Sequence, residues 1–251
     1  MSARRGRLGA YALWQARDYA FTTSGAATLL IPFVLGVFPL LVTKYVAMKS
    51  GASGPEVHNA VLGGFNLLVG ILAIAGPLFS VANMVSADRQ PGLTRFLFAK
   101  PVSVSAYYLQ MWLVRGAGVL VISVVLTQTV NLFVAPVPWR EAVAAVGITW
   151  ILIGGLGFLL SVLLARDTAI LLGLYLWVTI LDTVNQNVPD WRWIVKPVLA
   201  AMPPFHRLDE IRNALLRGTP MPVGDLWHAL IFGTVCVALA TYLVRRMPLV
   251  R

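Results

Sequence analysis

Three histidines, one cysteine and ten carboxylates are all that this chain of 251 residues offers to ordinary site chemistry. Their spacing gathers none of it. His58, His206 and His228 stand too far apart for a metal-binding pattern, and no facing pair is placed to hold haem. Neither a His-Glu-x-x-His nor a nucleophile elbow occurs, which removes the signatures of a membrane protease or esterase. A Gly-rich phosphate loop ending in Lys-Ser or Lys-Thr is also missing, so the chain itself reads as neither an ATPase nor any other enzyme. The acids are scattered, with Asp88, Asp167 and Asp182 at the ends of apolar runs. Cys236 can form no internal disulfide and reads as a small packing residue. No catalytic residue and no metal ligand is expected.

What remains is polarity where the surroundings are apolar. Asn66, Asn83, Gln128, Asn131 and Asp182 fall within or beside long hydrophobic stretches. Polar groups at membrane depth mark substrate pathways, but amides there also hydrogen-bond helix to helix, and both readings stand for these five. No carboxylate lies near the middle of a span, which weakens an ion-coupled carrier.

The other distinctive stretch is ADRQPGLTRFLFAKPVSVSAYY, residues 87 to 108, which interrupts two greasy runs. Pro91-Gly92 starts a turn. Leu93, Phe96 and Leu97 then share the apolar face of a short helix that Pro101 stops, with Arg95 and Lys100 beside it. Such a helix suits docking of another protein, or rest on lipid headgroups.

These residues need elements to carry them. The chain is 58% hydrophobic and only 12% charged, with mean hydropathy +0.78; a soluble domain carries about 25% charged residues. Its apolar stretches run to about twenty residues without alternation, which fits membrane-spanning helices and not barrel strands. Six spans can be drawn: Gly25 to Val42, Val57 to Val85, Tyr107 to Val134, Ala142 to Leu164, Ala169 to Val184 and Leu226 to Val244. Gly76-Pro77 is placed to kink the second, and the Gly154-Gly155-Leu156-Gly157 run should let helices approach closely in the fourth.

The net charge of +10 fits basic residues retained on the cytoplasmic side better than it fits nucleic acid. Arg4, Arg5, Arg7 and Arg17 precede the first span and Arg245, Arg246 and Arg251 follow the sixth. Arg89, Arg95, Lys100 and Arg166 fall on the same side. Both termini are therefore expected in the cytoplasm. Residues 8 to 21 read as an amphipathic helix at the membrane surface, with Leu8, Tyr11, Ala12, Trp14, Gln15 and Tyr19 as its partly apolar stripe. Residues 185 to 225 are too polar to span and too apolar for a linker. They are expected to hold two short helices on or in the outer leaflet, the second from Leu208 to Leu216, stopped by Gly218 and Pro220.

The stretch from Asp88 through Gly92-Leu93-Thr94 and Phe96-Leu97 to Pro101-Val102-Ser103 resembles the cytoplasmic loop of type-2 permeases of the ATP-binding cassette (ABC) transporters. Its acid is Asp where that family more often has Glu, and no Lys stands near Gln110-Met111. A second resemblance lies in residues 202 to 218, MPPFHRLDEIRNALLRG, where Pro204, Asp209, Arg212 and Gly218 hold the family's places before the last span. The resemblance implies a single permease domain over residues 1–251 and the membrane half of an exporter, in a bacterial or archaeal cytoplasmic membrane. It further implies a second permease copy or paralogue, with separate ATPase subunits that carry the ATP and magnesium; no cofactor belongs to this chain. Residues 86–104 would form the coupling loop. Asp88, Gly92, Leu93, Arg95, Phe96, Leu97, Lys100 and Pro101 would meet the ATPase there, and Arg166 and Asp167 would add a smaller contact. A different class also fits the loop: a non-transporting membrane anchor or assembly subunit that recruits a soluble partner through it.

Overall fold

Pro32 does not end the first span. In this computed structural model the helix Thr23–Pro32 runs into a π-helical turn, Phe33–Val37, and continues as Phe38–Lys49. Proline supplies no N–H to the ladder, and the wider turn accommodates the lost bond without breaking the rod. The span therefore extends beyond the expected Val42, from Gly25 to Lys49. Lys44 is tolerated in this extension because its Nζ donates to the carbonyl oxygen of Phe133, at the end of the third span, at 3.0 Å. A cation at a helix C-terminus also meets the negative end of its dipole.

The structure describes residues 2–21, 23–51, 53–82, 84–85, 103–164 and 166–246, with side chains from residue 11 onward apart from 23 and 24. Among the described residues there is helix and no strand. Six helices are long and apolar enough to cross a membrane: Gly25–Lys49, Gly54–Val81, Val104–Phe133, Trp139–Leu163, Asp167–Asn187 and Val223–Arg246. The protein is an all-α, multi-pass membrane protein. Its second span ends at Val81, four residues short of the expected Val85, because the backbone leaves the helix there. The N–H of Val85 donates instead to Ser161 Oγ at 2.8 Å.

The chain divides into two compact units, one of Met1–Ser80 with Gln110–Trp150, the other of Val81–Leu109 with Ile151–Arg251. In the first, the surface helix Ser2–Phe21 is longer than the expected residues 8 to 21. Its stripe divides. Gln15 and Tyr19 are buried, Tyr11 and Ala12 half-buried, and Trp14 is exposed with Leu13 and Phe21. At 100° per residue, Trp14 lies too far round from Tyr19 to share its face. A lipid-facing rim of Leu13, Trp14 and Phe21 with Arg17 beside it suits a helix lying at the interface.

In the second unit the small residues expected to permit close approach do so. A Cβ on Gly155 would meet the carbonyl oxygen of Gly233, and one on Gly233 would overlap the backbone of Ile151. The fourth and sixth spans thus touch backbone to backbone, with nothing between them. Between the fifth and sixth spans run the short helix Arg192–Ala201, which buries Val195 and Leu199, the single turn Phe205–Arg207, and the helix Leu208–Arg217. Trp191 and Trp193, 60% and 76% exposed, suit a membrane–water boundary.

Candidate functional site

The fifth span, Asp167–Asn187, carries the least covered surface of the six: only 17% of its apolar window is buried. Leu171 and Val178 are its buried side. Thr179, Asp182, Thr183 and Gln186 recur at helical spacing, so they form one strip, with Asp182 nearest the buried side. Thr179, Thr183 and Gln186 are exposed and Asp182 half-buried. The hydroxyls bond back to their own helix, Thr179 Oγ1 to the Tyr175 carbonyl and Thr183 Oγ1 to the Thr179 carbonyl, each at 2.9 Å. Gln186 Nε2 donates to Asp182 Oδ2 at 2.8 Å. Asp182 lies five residues from the helix end, about 8 Å along the axis.

Beside that helix, where Phe205 packs on Tyr175, the residues before the sixth span bring charge together. Pro204 is buried and starts the turn Phe205–Arg207. Arg207 Nη1 forms an ion pair with Asp225 in the first turn of the sixth span. Arg212 Nη1 and Asp209 Oδ1 pair at 2.8 Å across one turn of the helix Leu208–Arg217. That helix buries Leu208, Ile211 and Ala214, as its apolar spacing requires. Gly218 ends it with φ +65°, a left-handed conformation that glycine adopts without strain, and its N–H closes onto the Ala214 carbonyl. So Asp209, Arg212 and Gly218 shape and terminate one helix, while Asp182 stands on the neighbouring span.

The other polar residues are distributed differently. Asn131 Nδ2 donates to Gln128 Oε1 at 3.3 Å, and Asn131 Oδ1 accepts the Val137 N–H at 3.2 Å. This pair therefore closes the connection from the third span to the fourth. Asn66 is half-buried in the second span. Asn83 lies outside the described residues, as do Asp88, Gly92, Leu93, Arg95, Phe96, Leu97, Lys100 and Pro101. The two stems of their loop are described. Met84 and Val85 are buried, with Val85 tied to Ser161; Ser103 Oγ accepts the Ala106 N–H at 3.3 Å at the start of the third span. Tyr107 and Tyr108, both buried, meet edge to face with centroids 5.1 Å apart. Asp167 is 2% exposed and its Oδ1 accepts from the Thr168 N–H and hydroxyl, which leaves Arg166 as the exposed member of that turn.

A polar network in the first unit escaped the sequence reading. Ser80, fully buried in the last turn of the second span, shares hydrogen bonds with Tyr19 Oη (2.7 Å) and Thr28 Oγ1 (3.3 Å). Its carbonyl accepts from Arg115 Nη1 at 2.6 Å. Arg115 sits eleven residues into the third span, about 16 Å from its start. A charge so far inside a span was the signal that could have found this group. The network fastens the surface helix, through Tyr19, to the end of the second span, and the second span to the interior of the third.

Among the described residues, no group of three or more His, Cys, Asp or Glu side chains could hold a metal ion. The arrangement offers a polar strip along one span and a charged turn packed beside it. The chain matches no protein-family model, and no curated protein matches it.

Proposed function

We propose that this chain is the membrane-spanning subunit of an exporter of the ABC type-2 kind, working as a pair with a second copy or a paralogue. Separate ATPase subunits dock on residues 86–104 and hydrolyse the ATP. The observation that carries this reading is the polar strip Thr179–Asp182–Thr183–Gln186 on the fifth span, of which Thr179, Thr183 and Gln186 are exposed. Hydrocarbon is a poor surrounding for a carboxylate and an amide, so this strip needs water or another protein in front of it. A second copy placed against the span supplies both, and leaves a polar route between the two chains.

The loop supports the same reading by how it is held. Its second-span stem is buried and tied to the fourth span through Val85 and Ser161, so a push on the knobs Leu93, Phe96 and Leu97 reaches the inner ends of those two spans without first taking up slack. ATP binding that draws two ATPase subunits together then moves the spans between discrete packed arrangements. Both termini face the cytoplasm, and the residues between the fifth and sixth spans lie outside.

The test is a reconstituted complex carrying Phe96→Ala. The expected result is ATPase subunits that bind less, or hydrolyse ATP without moving substrate, while the chain still inserts and folds. Normal binding together with normal transport would overturn the loop's assignment. Recovery of the chain with a soluble partner that has no ATPase activity would make it a membrane anchor instead.

A further inference from the structure

The single turn Phe205–Arg207 is gripped from two sides, by the fifth and sixth spans, and braced within itself. Phe205, 4% exposed, packs its ring against Tyr175 of the fifth span, with centroids 5.6 Å apart. Arg207 reaches Asp225 of the sixth span through Nη1. Through Nε the same guanidinium donates to Nε2 of His206 at 3.3 Å. A ring nitrogen that accepts from a guanidinium must keep its lone pair, so this imidazole is neutral, with its proton on Nδ1. Nδ1 is buried and has no hydrogen-bond partner among the described residues.

Charges face His206 from each neighbouring element. Asp182 comes from the fifth span, Arg207 from its own turn, Glu210 from the following helix and Asp225 from the sixth span. Asp209 and Arg212 on that helix neutralise each other as a pair, and His228 stands one turn beyond Asp225. We propose that His206 is an acid-sensitive latch: while neutral it holds Arg207 in the geometry that ties this turn to the sixth span, and when protonated it releases it. Protonation turns Nε2 from acceptor to donor and sets an imidazolium beside a guanidinium at hydrogen-bond distance, so the contact that positioned Arg207 becomes a repulsion. The imidazolium then turns toward the carboxylates of Asp182, Glu210 and Asp225, and competes with Arg207 for Asp225.

The direction of the pH response follows. Burial holds the His206 pKa below its ordinary value of 6.5, although Asp182, Asp225 and Glu210 pull it up. A histidine whose folded pKa is depressed contributes its stability fully above 6.5, and that contribution is lost as pH falls below this value toward the depressed pKa. The latch is closed at neutral pH and opens in acid. It concerns the segment's own response and holds whether or not the chain transports anything.

The test is hydrogen exchange on the full chain in lipid nanodiscs, corrected for intrinsic rates, between about pH 7.5 and about pH 5. In the wild type, exchange at the amides of residues 205 to 208 is expected to rise about tenfold on acidification, the loss of one charge-assisted hydrogen bond. In His206→Gln the amide oxygen accepts from Arg207 at both pH values, so the rise is expected to vanish. An unchanged wild type overturns the latch. So does an equal rise in His206→Gln, which would place the response on a carboxylate. If that variant does not fold, the His206 imidazole ¹⁵N titration of the wild type decides: a midpoint at or above 6.5 overturns the proposal.

Discussion

Arg115 Nη1 donates a 2.6 Å hydrogen bond to the backbone carbonyl of Ser80, whose hydroxyl is bound in turn to Tyr19 and Thr28. One serine near the end of the second span thus joins the surface helix, the first span and the third. Arg115 also places positive charge against the carbonyl end of a helix, where the dipole favours it.

Replacing Arg115 with Met keeps the length of the side chain and removes the donor and the charge. The expected loss is about 2 kcal/mol, the range for a charge-assisted hydrogen bond with a partly buried acceptor left behind. For a chain of this size that corresponds to a fall in Tm of roughly 5 °C in detergent. Arg115→Lys, which reaches with a single ammonium in place of a planar fork, should recover only part of it. A Met variant as stable as the wild type would show that Ser80 is satisfied without Arg115.

Gly233 and Gly63 separate close packing from helix propensity. A Cβ at Gly233 overlaps the backbone of Ile151, which cannot step aside as a side chain can; at Gly63 it meets nothing within 4 Å. Gly233→Ala should therefore force the fourth and sixth spans apart, at a cost of about 2 kcal/mol or more. Gly63→Ala should be neutral or stabilising by up to about 1 kcal/mol, since alanine is the better helix former. Thermal unfolding of the two variants side by side checks this, and equal Tm values would refute backbone contact at Gly233.

Gly218 is a glycine of another kind, held at φ +65° with open space around it. Alanine there fits by volume but must adopt a left-handed conformation, at a cost of about 1 kcal/mol. Because Gly218 ends the helix carrying Asp209 and Arg212, the effect should be local. Exchange at the amides of 214 to 219 should quicken in Gly218→Ala, with the spans unaffected.

What the sequence made legible is what rests on composition and spacing. Twenty-residue apolar runs gave the six spans, the Gly154–Gly157 run gave a close-packed helix pair, and the Leu208, Ile211, Gly218 pattern gave the short helix and its stop. The first span was drawn through Pro32 but only as far as Val42; it runs to Lys49, because Lys44 finds a backbone carbonyl partner that its own neighbours in the sequence do not announce. Arg115 stayed hidden for a related reason. Hydropathy averaged over a window dilutes one charge, and its partner is a backbone carbonyl that no side-chain identity announces. Tyr19 and Ser80 are 61 positions apart, and hydroxyls carry no pairing code. Gln128 and Asn131 were visible as polar residues. Only the turn after the third span reveals that Asn131 serves the Val137 backbone.

The fifth span supplies a sharper test of the paired-exporter reading. Thr179 and Ile180 are adjacent, both exposed, and differ in depth by only about 1.5 Å, yet they point about 100° apart around the helix. Thr179 belongs to the polar strip; Ile180 lies on its apolar flank. Cys236, the native cysteine, is buried and should give little background. In proteoliposomes, Thr179→Cys should react with a membrane-impermeant maleimide or cross-link to a second copy, since thiolate chemistry needs water at the sulfur. Ile180→Cys should do neither as readily. Depth alone cannot produce that difference, because the two positions share it. Equal protection of both would mean that lipid covers the strip, and the pathway would have to be sought on another face of the bundle.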